Sequence, residues 1–225
     1  MAEKVYGGCV GLFGLGMMDT VKKEVFLWVC IVLMLLIWVA VLQLTGTPLS
    51  INWEAVKKLP DVVTIFVIVS FAFTKWFWRM PMFKDWLVRF PDLQGTWEGE
   101  LQSTWINPET KQGIPPLRMM LVIRQTFSSI SCTMFTKESE SYSRAAQIAV
   151  EDDTGAISVS YNYTNRSKAT IRHRSPIHDG AAHLRVVMLP SRMLEGEYWT
   201  GRCTTGQMKL RFSSRQLLES FPDNI

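Results

Sequence analysis

The sequence predicts a membrane α plus all-β protein, with an N-terminal two-helix transmembrane hairpin over residues 25–78 and an eight-stranded antiparallel, up-and-down β-barrel over 93–225. Three observations predict it. Positions 25–44, VFLWVCIVLMLLIWVAVLQL, carry no charge. A second apolar stretch at 62–73 follows a short polar gap and runs on into Thr74, Lys75, Trp76, Phe77 and Trp78. From Leu93 onward, short stretches rich in Val, Ile, Thr, Tyr and Trp recur between Gly, Pro, Asn, Asp and Ser clusters, the pattern of sequential strands.

Taken in order, residues 1–24 read as an N-terminal interfacial leader. Glycines at 7, 8, 11, 14 and 16 among Val, Leu, Phe and Met suit either that role or a small-residue surface on which helices approach closely. The run at 25–44 is polar only at Gln43, and Lys22 and Lys23 stand before it at headgroup position. At about 1.5 Å per residue, about 20 residues cross a hydrocarbon core of about 30 Å. The second span, 62–78, has Lys75 snorkelling among Trp76, Phe77 and Trp78, an aromatic belt. Lys4, Lys22 and Lys23 precede the first span, and Lys75, Arg79, Lys84 and Arg89 follow the second; the loop between carries Lys57 and Lys58 but also Glu54 and Asp61. That bias places both termini and the barrel in the cytoplasm. The apolar run is too long and starts too late for a cleaved signal peptide, and no hydrophobic stretch ahead of Cys9 makes it a lipoprotein site. Residues 79–92, RMPMFKDWLVRFPD, set bulky apolar side chains among Arg, Lys and Asp between prolines, as an interfacial helix or linker does.

Eight strands are predicted beyond it, at 95–105, 117–126, 129–136, 142–151, 156–165, 183–189, 193–202 and 207–213. EDDTG and CTTG mark hairpins between the fourth and fifth and between the last two. A short helix at 215–221 is expected to cap one end. Closure of so many sequential strands into a barrel removes exposed edges, and an eight-stranded barrel holds packed side chains or one small ligand.

From Asp92 to the end, 11 Arg and 4 Lys stand against 5 Asp and 9 Glu. So small a net charge disfavours non-specific DNA or RNA binding through a broad basic face. The preference for Arg suits bidentate phosphate contacts and stacking on bases. In the fifth strand, Tyr161, Tyr163 and Asn165 share one face, with Ser158, Ser160, Asn162 and Thr164 on the other. In the seventh, Leu194, Gly196, Tyr198, Thr200 and Arg202 share a face opposite Glu195, Glu197 and Trp199. The two glutamates put the latter face in water, so the former points inward. Aromatic platforms, hydroxyls, an amide and a cation are the chemistry that stacks nucleobases and holds phosphates. The candidate ligand residues are therefore Tyr161, Tyr163, Asn165, Tyr198, Thr200 and Arg202, with Arg211 added. The plainer reading is that the tyrosines fill the barrel and Arg202 lies at its rim.

The basic segment NRSKATIRHRSPIHDGAAH, from Asn165 to His183, holds all three histidines and reads as a solvated loop or a phosphate-attracting lid over the mouth. His173, His178 and His183 match no zinc spacing, so neither a metal nor a cofactor is expected. No nucleophile elbow, phosphate loop or metalloprotease motif is present, and Ser175, His178 and Asp179 lie too close together for a triad, so no enzyme activity is expected. Cys9, Cys30, Cys132 and Cys203 form no disulfide framework. The triplets NYT at 162 and NRS at 165 fit glycosylation, which a cytoplasmic domain does not meet.

The G-x-W start at Gly95 to Trp97, the YNYTN strand, HDGAAHLRV and LEGEYWTGRCTTGQMKLRF, set behind two apolar helices and a basic linker, resemble the two-transmembrane, β-strand-rich effectors of bacterial CBASS anti-phage systems. The resemblance covers essentially the whole chain; its specificity lies in the order of the motifs. It implies an inner-membrane protein whose cytoplasmic barrel senses a cyclic dinucleotide made by a partner nucleotidyltransferase. Ligand binding then drives homo-oligomerisation of the helices and disrupts the membrane in abortive infection; by their polarity Gln43 and Ser70 suit either contacts between spans or the lining of a defect. The alternative is a membrane-tethered, calycin-like barrel binding a lipid or other apolar ligand through Trp97, Met119, Leu121 and Val159.

Overall fold

The computed structural model describes residues 23–50, 52–107 and 110–222. Of the expected leader, residues 1–22 with the glycine-rich surface lie outside the described residues, and Lys23 and Glu24 already belong to the first helix. The first helix, α1 (Lys23–Leu44), has 22 residues and is about 33 Å long. It stops where Gly46 takes a left-handed φ of 65° and Thr45 Oγ1 donates to the Val41 carbonyl at 2.8 Å. Leu27, Trp28, Leu35 and Leu36 are each more than half exposed, as on a helix that is apolar all round.

A single turn, α2 (Trp53–Val56), is capped by Asn52 Oδ1, which accepts from the Ala55 N–H at 2.8 Å. The chain then returns along α3 (Leu59–Lys75). Ile37 and Val41, late in α1, pack on Val62 and Phe66, early in α3, so the helices are antiparallel. With 17 residues, α3 reaches about 26 Å. Among the described residues, the expected pair of spans is thus one helix long and apolar enough to cross a membrane, α1, and a shorter helix packed on it. The stretch expected to extend the second span leaves the helix at Trp76 and forms the 3₁₀ turn Phe77–Arg79.

Residues 79–92, expected as an interfacial helix or linker, contain one further 3₁₀ turn, Pro81–Phe83. Trp78, Leu87, Val88, Phe90 and Leu93 are buried in the same cluster as the barrel interior, so this segment is the barrel's floor. Phe127, in the turn at 126–129, fastens it to the helices: its N–H donates to the Thr74 carbonyl at 3.1 Å, and its ring meets Phe73 at 5.1 Å and Phe26 at 6.2 Å.

The eight strands are β1 (Gly95–Ser103), β2 (Leu117–Gln125), β3 (Ile130–Thr136), β4 (Ser139–Val150), β5 (Ile157–Ser167), β6 (His178–Val187), β7 (Met193–Thr200) and β8 (Thr205–Ser214). They run in sequence order and close through β1 against β8, all antiparallel. Trp97, Met119, Leu121, Val159, Leu184, Leu194 and Leu210 are fully buried inside. The expected strand starting at 183 begins five residues earlier, because His178 to Ala182 pair with Asn165 to Tyr161 although Gly180 and the alanines are poor strand formers. The expected strand to 202 ends at Thr200.

The helix expected at 215–221 is absent. That segment is a strap whose Leu217, Leu218 and Phe221 cover outward-facing Met120, Val122 and Phe135. Burial of the adjacent Leu217 and Leu218 outweighs local helix propensity. Thr96 Oγ1 holds the strap by donating to the Gln216 carbonyl at 2.6 Å.

Candidate ligand site at the barrel mouth

The helices and floor close one end of the barrel, and the turns β3–β4, β5–β6 and β7–β8 surround the other. Inward alternation on β5 and β7 brings Tyr161, Tyr163, Asn165, Tyr198 and Thr200 together inside, each less than one-tenth exposed. The tyrosines sit beside small residues: Tyr161 pairs with Ala182, Ala182 with Tyr198, Tyr198 with Gly206, and Tyr163 with Gly180. A Cβ on Gly180 would lie 2.6 Å from the Tyr163 ring and hydroxyl, and one on Gly206 would lie 2.5 Å from the Tyr198 ring. The rings therefore lean over the neighbouring strands' glycines, and Tyr161 and Tyr163 stand 5.9 Å apart.

Polar groups rise from these rings to the rim. Ser141 Oγ donates to Asn165 Oδ1 at 2.8 Å, Asn165 Nδ2 to Ser167 Oγ at 3.3 Å, and Ser167 Oγ to Ser175 Oγ at 3.0 Å. Arg202 Nη1 then donates to Ser175 Oγ at 3.3 Å. Thr200 Oγ1 and Thr204 Oγ1 share a hydrogen bond of 2.6 Å that braces the β7–β8 turn, where Cys203 has a φ of 59°. The loop at 168–177 crosses from one side of the mouth to the other: Arg174 pairs with Glu138 and Ser175 meets Arg202, while Arg172 Nη2 donates to the Ser167 carbonyl at 3.2 Å.

Burial, with Cys132 and Tyr163 beside it, holds the Tyr161 phenol well above its ordinary range. Burial and Tyr198 raise Tyr163 against the opposing Arg202. Both are therefore neutral hydrogen-bonding groups. Tyr161 Oη is buried and has no hydrogen-bond partner among the described residues. Burial lowers His178, opposed by its contact with the Pro176 carbonyl.

Arg202, expected to share the inward face of the seventh strand, lies in the turn beyond it and is exposed at the rim. Arg211 is not brought to the mouth: it lies on the outer face of β8, registered with Glu98 and Met193. Ser141, Ser167, Ser175, Gly180 and Gly206 complete the mouth and were not anticipated. Ser167 continues the alternation 161, 163, 165; the glycines' role depends on register alone. Among the described residues, no cluster of three His, Cys, Asp or Glu could hold a metal ion. Trp97, Met119, Leu121 and Val159, the alternative apolar lining, are packed in the main hydrophobic cluster. Two shallow depressions, about 500 and 390 Å³, lie on the outer wall, one along Glu195, Glu197 and Lys209 and one along Arg144 and Arg166.

These features define a class: a closed antiparallel barrel, filled with side chains, that concentrates aromatic, hydroxyl and cationic groups at one mouth and is carried on a long apolar helix. The chain belongs to the Cap15 cyclic dinucleotide receptor domain family, whose profile matches residues 88–211, the barrel from its floor to β8. It is 24% identical over 190 residues to the CD-NTase-associated protein 15 of Escherichia albertii, covering 83% of this chain and 90% of that protein. It is 26% identical over 162 residues to the CD-NTase-associated protein 15 of Staphylococcus schleiferi, covering 72% of this chain and 81% of that one. Both alignments are longer than the barrel and extend into the helical region. The kinship with β-barrel CBASS effectors expected from the motif order is thereby established.

Proposed function

We propose that the barrel mouth receives a cyclic dinucleotide made by a cognate nucleotidyltransferase during phage infection, and that binding drives the membrane helices to self-associate and disrupt the bacterial inner membrane. The carrying observation is the line Asn165–Ser167–Ser175–Arg202 above the tyrosines. Arg202 is held to the crossing loop only through a neutral hydroxyl. A phosphate is a stronger partner for a guanidinium, so it takes Arg202 away from Ser175 and loosens that side of the loop, while bases stack on Tyr163 and Tyr198. A ligand shifts a protein only by binding one state better than another; here the preferred state is the one in which Arg202 has left Ser175.

In this reading α1 and α3 both enter the bilayer, with exposed Trp76 and Phe77 at the headgroups and both termini and the barrel in the cytoplasm. The chain is not an enzyme and needs no cofactor; its output is association of copies in the membrane, not binding of DNA or RNA. The test is thermal melting of the detergent-solubilised full chain with a panel of cyclic dinucleotides. Melting should rise with one of them and not with its linear counterpart, and Arg202→Ala and Tyr198→Ala should each lose the shift. A shift unchanged in both variants removes the mouth as the site, and a shift with fatty acids alone favours the apolar-ligand reading.

A further inference from the structure

At the opposite end of the barrel, three guanidiniums gather around Asp92, two on its carboxylate and one on its main-chain carbonyl. Asp92 Oδ2 accepts from Arg79 Nε at 3.1 Å and from Arg215 Nη1 at 2.7 Å, while its Oδ1 accepts from the Gln94 N–H at 3.0 Å. Its carboxylate thus already accepts three hydrogen bonds. Arg192 reaches only the Asp92 main-chain carbonyl, from Nη2 at 2.6 Å, and has no ion pair among the described residues. Its Nε is buried without an acceptor. Its plane lies 4.1 Å from the Phe212 ring centroid and 5.4 Å from that of Trp97, and Arg215 lies 5.8 Å from the same Phe212. Burial and the neighbouring Arg215 both disfavour the charged form of Arg192, and Asp92 opposes them. Three positive charges against one negative leave an excess of about two, although Arg79 Nη2 also donates to Gln94 Oε1 at 2.8 Å and to the Gln125 carbonyl at 2.7 Å, and Arg215 Nη1 to the Gln94 carbonyl at 3.1 Å.

The surroundings indicate the source of the missing anion. Arg79 stands four residues beyond the end of α3 and donates from Nη1 to the Lys75 carbonyl at 3.0 Å. Trp76, Phe77, Met80 and Met82 beside it are 44 to 64% exposed. Exposed aromatic and thioether side chains interleaved with cations next to an apolar helix are the composition of a membrane interface. Basic pockets at that depth take anionic headgroups.

We propose that Arg192 and Arg215, with Arg79 beside them, form an anion site at the barrel base for the phosphate of an anionic phospholipid headgroup. The site rests on the reading that the helices enter the bilayer, and it is separate from the mouth. A phosphodiester there adds the negative charge that the cluster lacks and relieves the repulsion between Arg192 and Arg215. It also seats the barrel against the membrane through Asp92, which ties Arg79 to Arg215.

The full chain in neutral detergent micelles, melted with added phosphatidylglycerol, phosphatidylcholine or inorganic phosphate, tests it. Phosphatidylglycerol should raise the melting temperature by several degrees, phosphatidylcholine should not, and the shift should shrink as sodium chloride is added. Arg215→Gln, at a half-exposed side chain, should reduce the shift, and Arg192→Gln with Arg215→Gln should abolish it. Arg185→Gln on the outer wall and Arg202→Ala at the mouth should keep it. If Arg192→Gln fails to fold, the Arg215→Gln variant and the salt dependence decide. An equal shift from inorganic phosphate at matched concentration overturns the lipid as source, and an equal shift from phosphatidylcholine, or one that survives both substitutions, overturns the site. Loss of the nucleotide response in Arg202→Ala with the lipid response intact keeps this result independent of the mouth.

Discussion

Gly180 and Gly206 are where the mouth is most sharply specified. Each lies under a tyrosine ring of a neighbouring strand, with no room for a methyl group. Gly180→Ala is expected to push the Tyr163 ring from its place and cost about 1–3 kcal/mol, the usual range for overpacking, read by urea denaturation. The same substitution should weaken the cyclic dinucleotide shift, because the platform itself moves. The tyrosines also set a pH dependence. Their folded values are raised by burial, so above about pH 10 the unfolded chain releases phenol protons that the barrel keeps. Stability from these groups is therefore complete below about pH 10 and is lost as pH rises through the folded values, by up to about 1.4 kcal/mol per pH unit for each tyrosine. Melting scans between pH 8 and 11 check the sign: Tyr161→Phe should flatten the alkaline decline. Cys132 is comparably shielded, its thiol pushed up to about 12 by burial, whereas Cys203 is exposed in the β7–β8 turn.

At the scale of elements, the strap after β8 does what the expected helix would not. Met120, Val122 and Phe135 point away from the barrel interior yet are almost fully buried, and Leu217, Leu218 and Phe221 are what covers them. Truncation after Ser214 is expected to uncover this patch and lower stability by a few kcal/mol, at about 1.5–3 kcal/mol for each large apolar side chain fully buried. Leu218→Asp should reproduce about half of that loss. Chemical denaturation measures both, and no change in either would mean that the strap is not held in solution. The segment between α3 and β1 was legible as amphipathic but not as a floor. Its Trp78, Leu87, Val88 and Phe90 have the same composition whether they meet lipid or the end of a barrel, and only the position of Phe127 distinguishes the two.

For the whole molecule, the candidate ligand residues and the apolar helices occupy opposite ends of one continuous core. Phe26 and Val29 of α1 and Phe73 of α3 pack against the cluster that also contains Tyr161, Tyr163 and Tyr198. Interiors so closely packed transmit displacement, which gives a physical route from mouth to helices. Replacing residues 23–75 with an unrelated two-helix anchor should preserve the nucleotide-dependent melting shift and abolish killing in cells that co-express the cognate nucleotidyltransferase. Killing that survives the exchange would assign the output to the barrel.

The sequence by itself determined the barrel's strand count, the inward placement of Tyr161, Tyr163, Asn165, Tyr198 and Thr200, and the apolar length of α1. All three are local: a strand's period of two decides its faces, and an uninterrupted apolar run decides its span. It also carried the family, through motif order. Only the tertiary structure decided that Tyr163 leans on Gly180, that Arg211 faces outward while Arg202 stands at the rim, and that Asp92 gathers Arg79, Arg192 and Arg215. Strand register and barrel closure bring together residues more than a hundred positions apart, and no pattern read within one segment specifies where such segments meet.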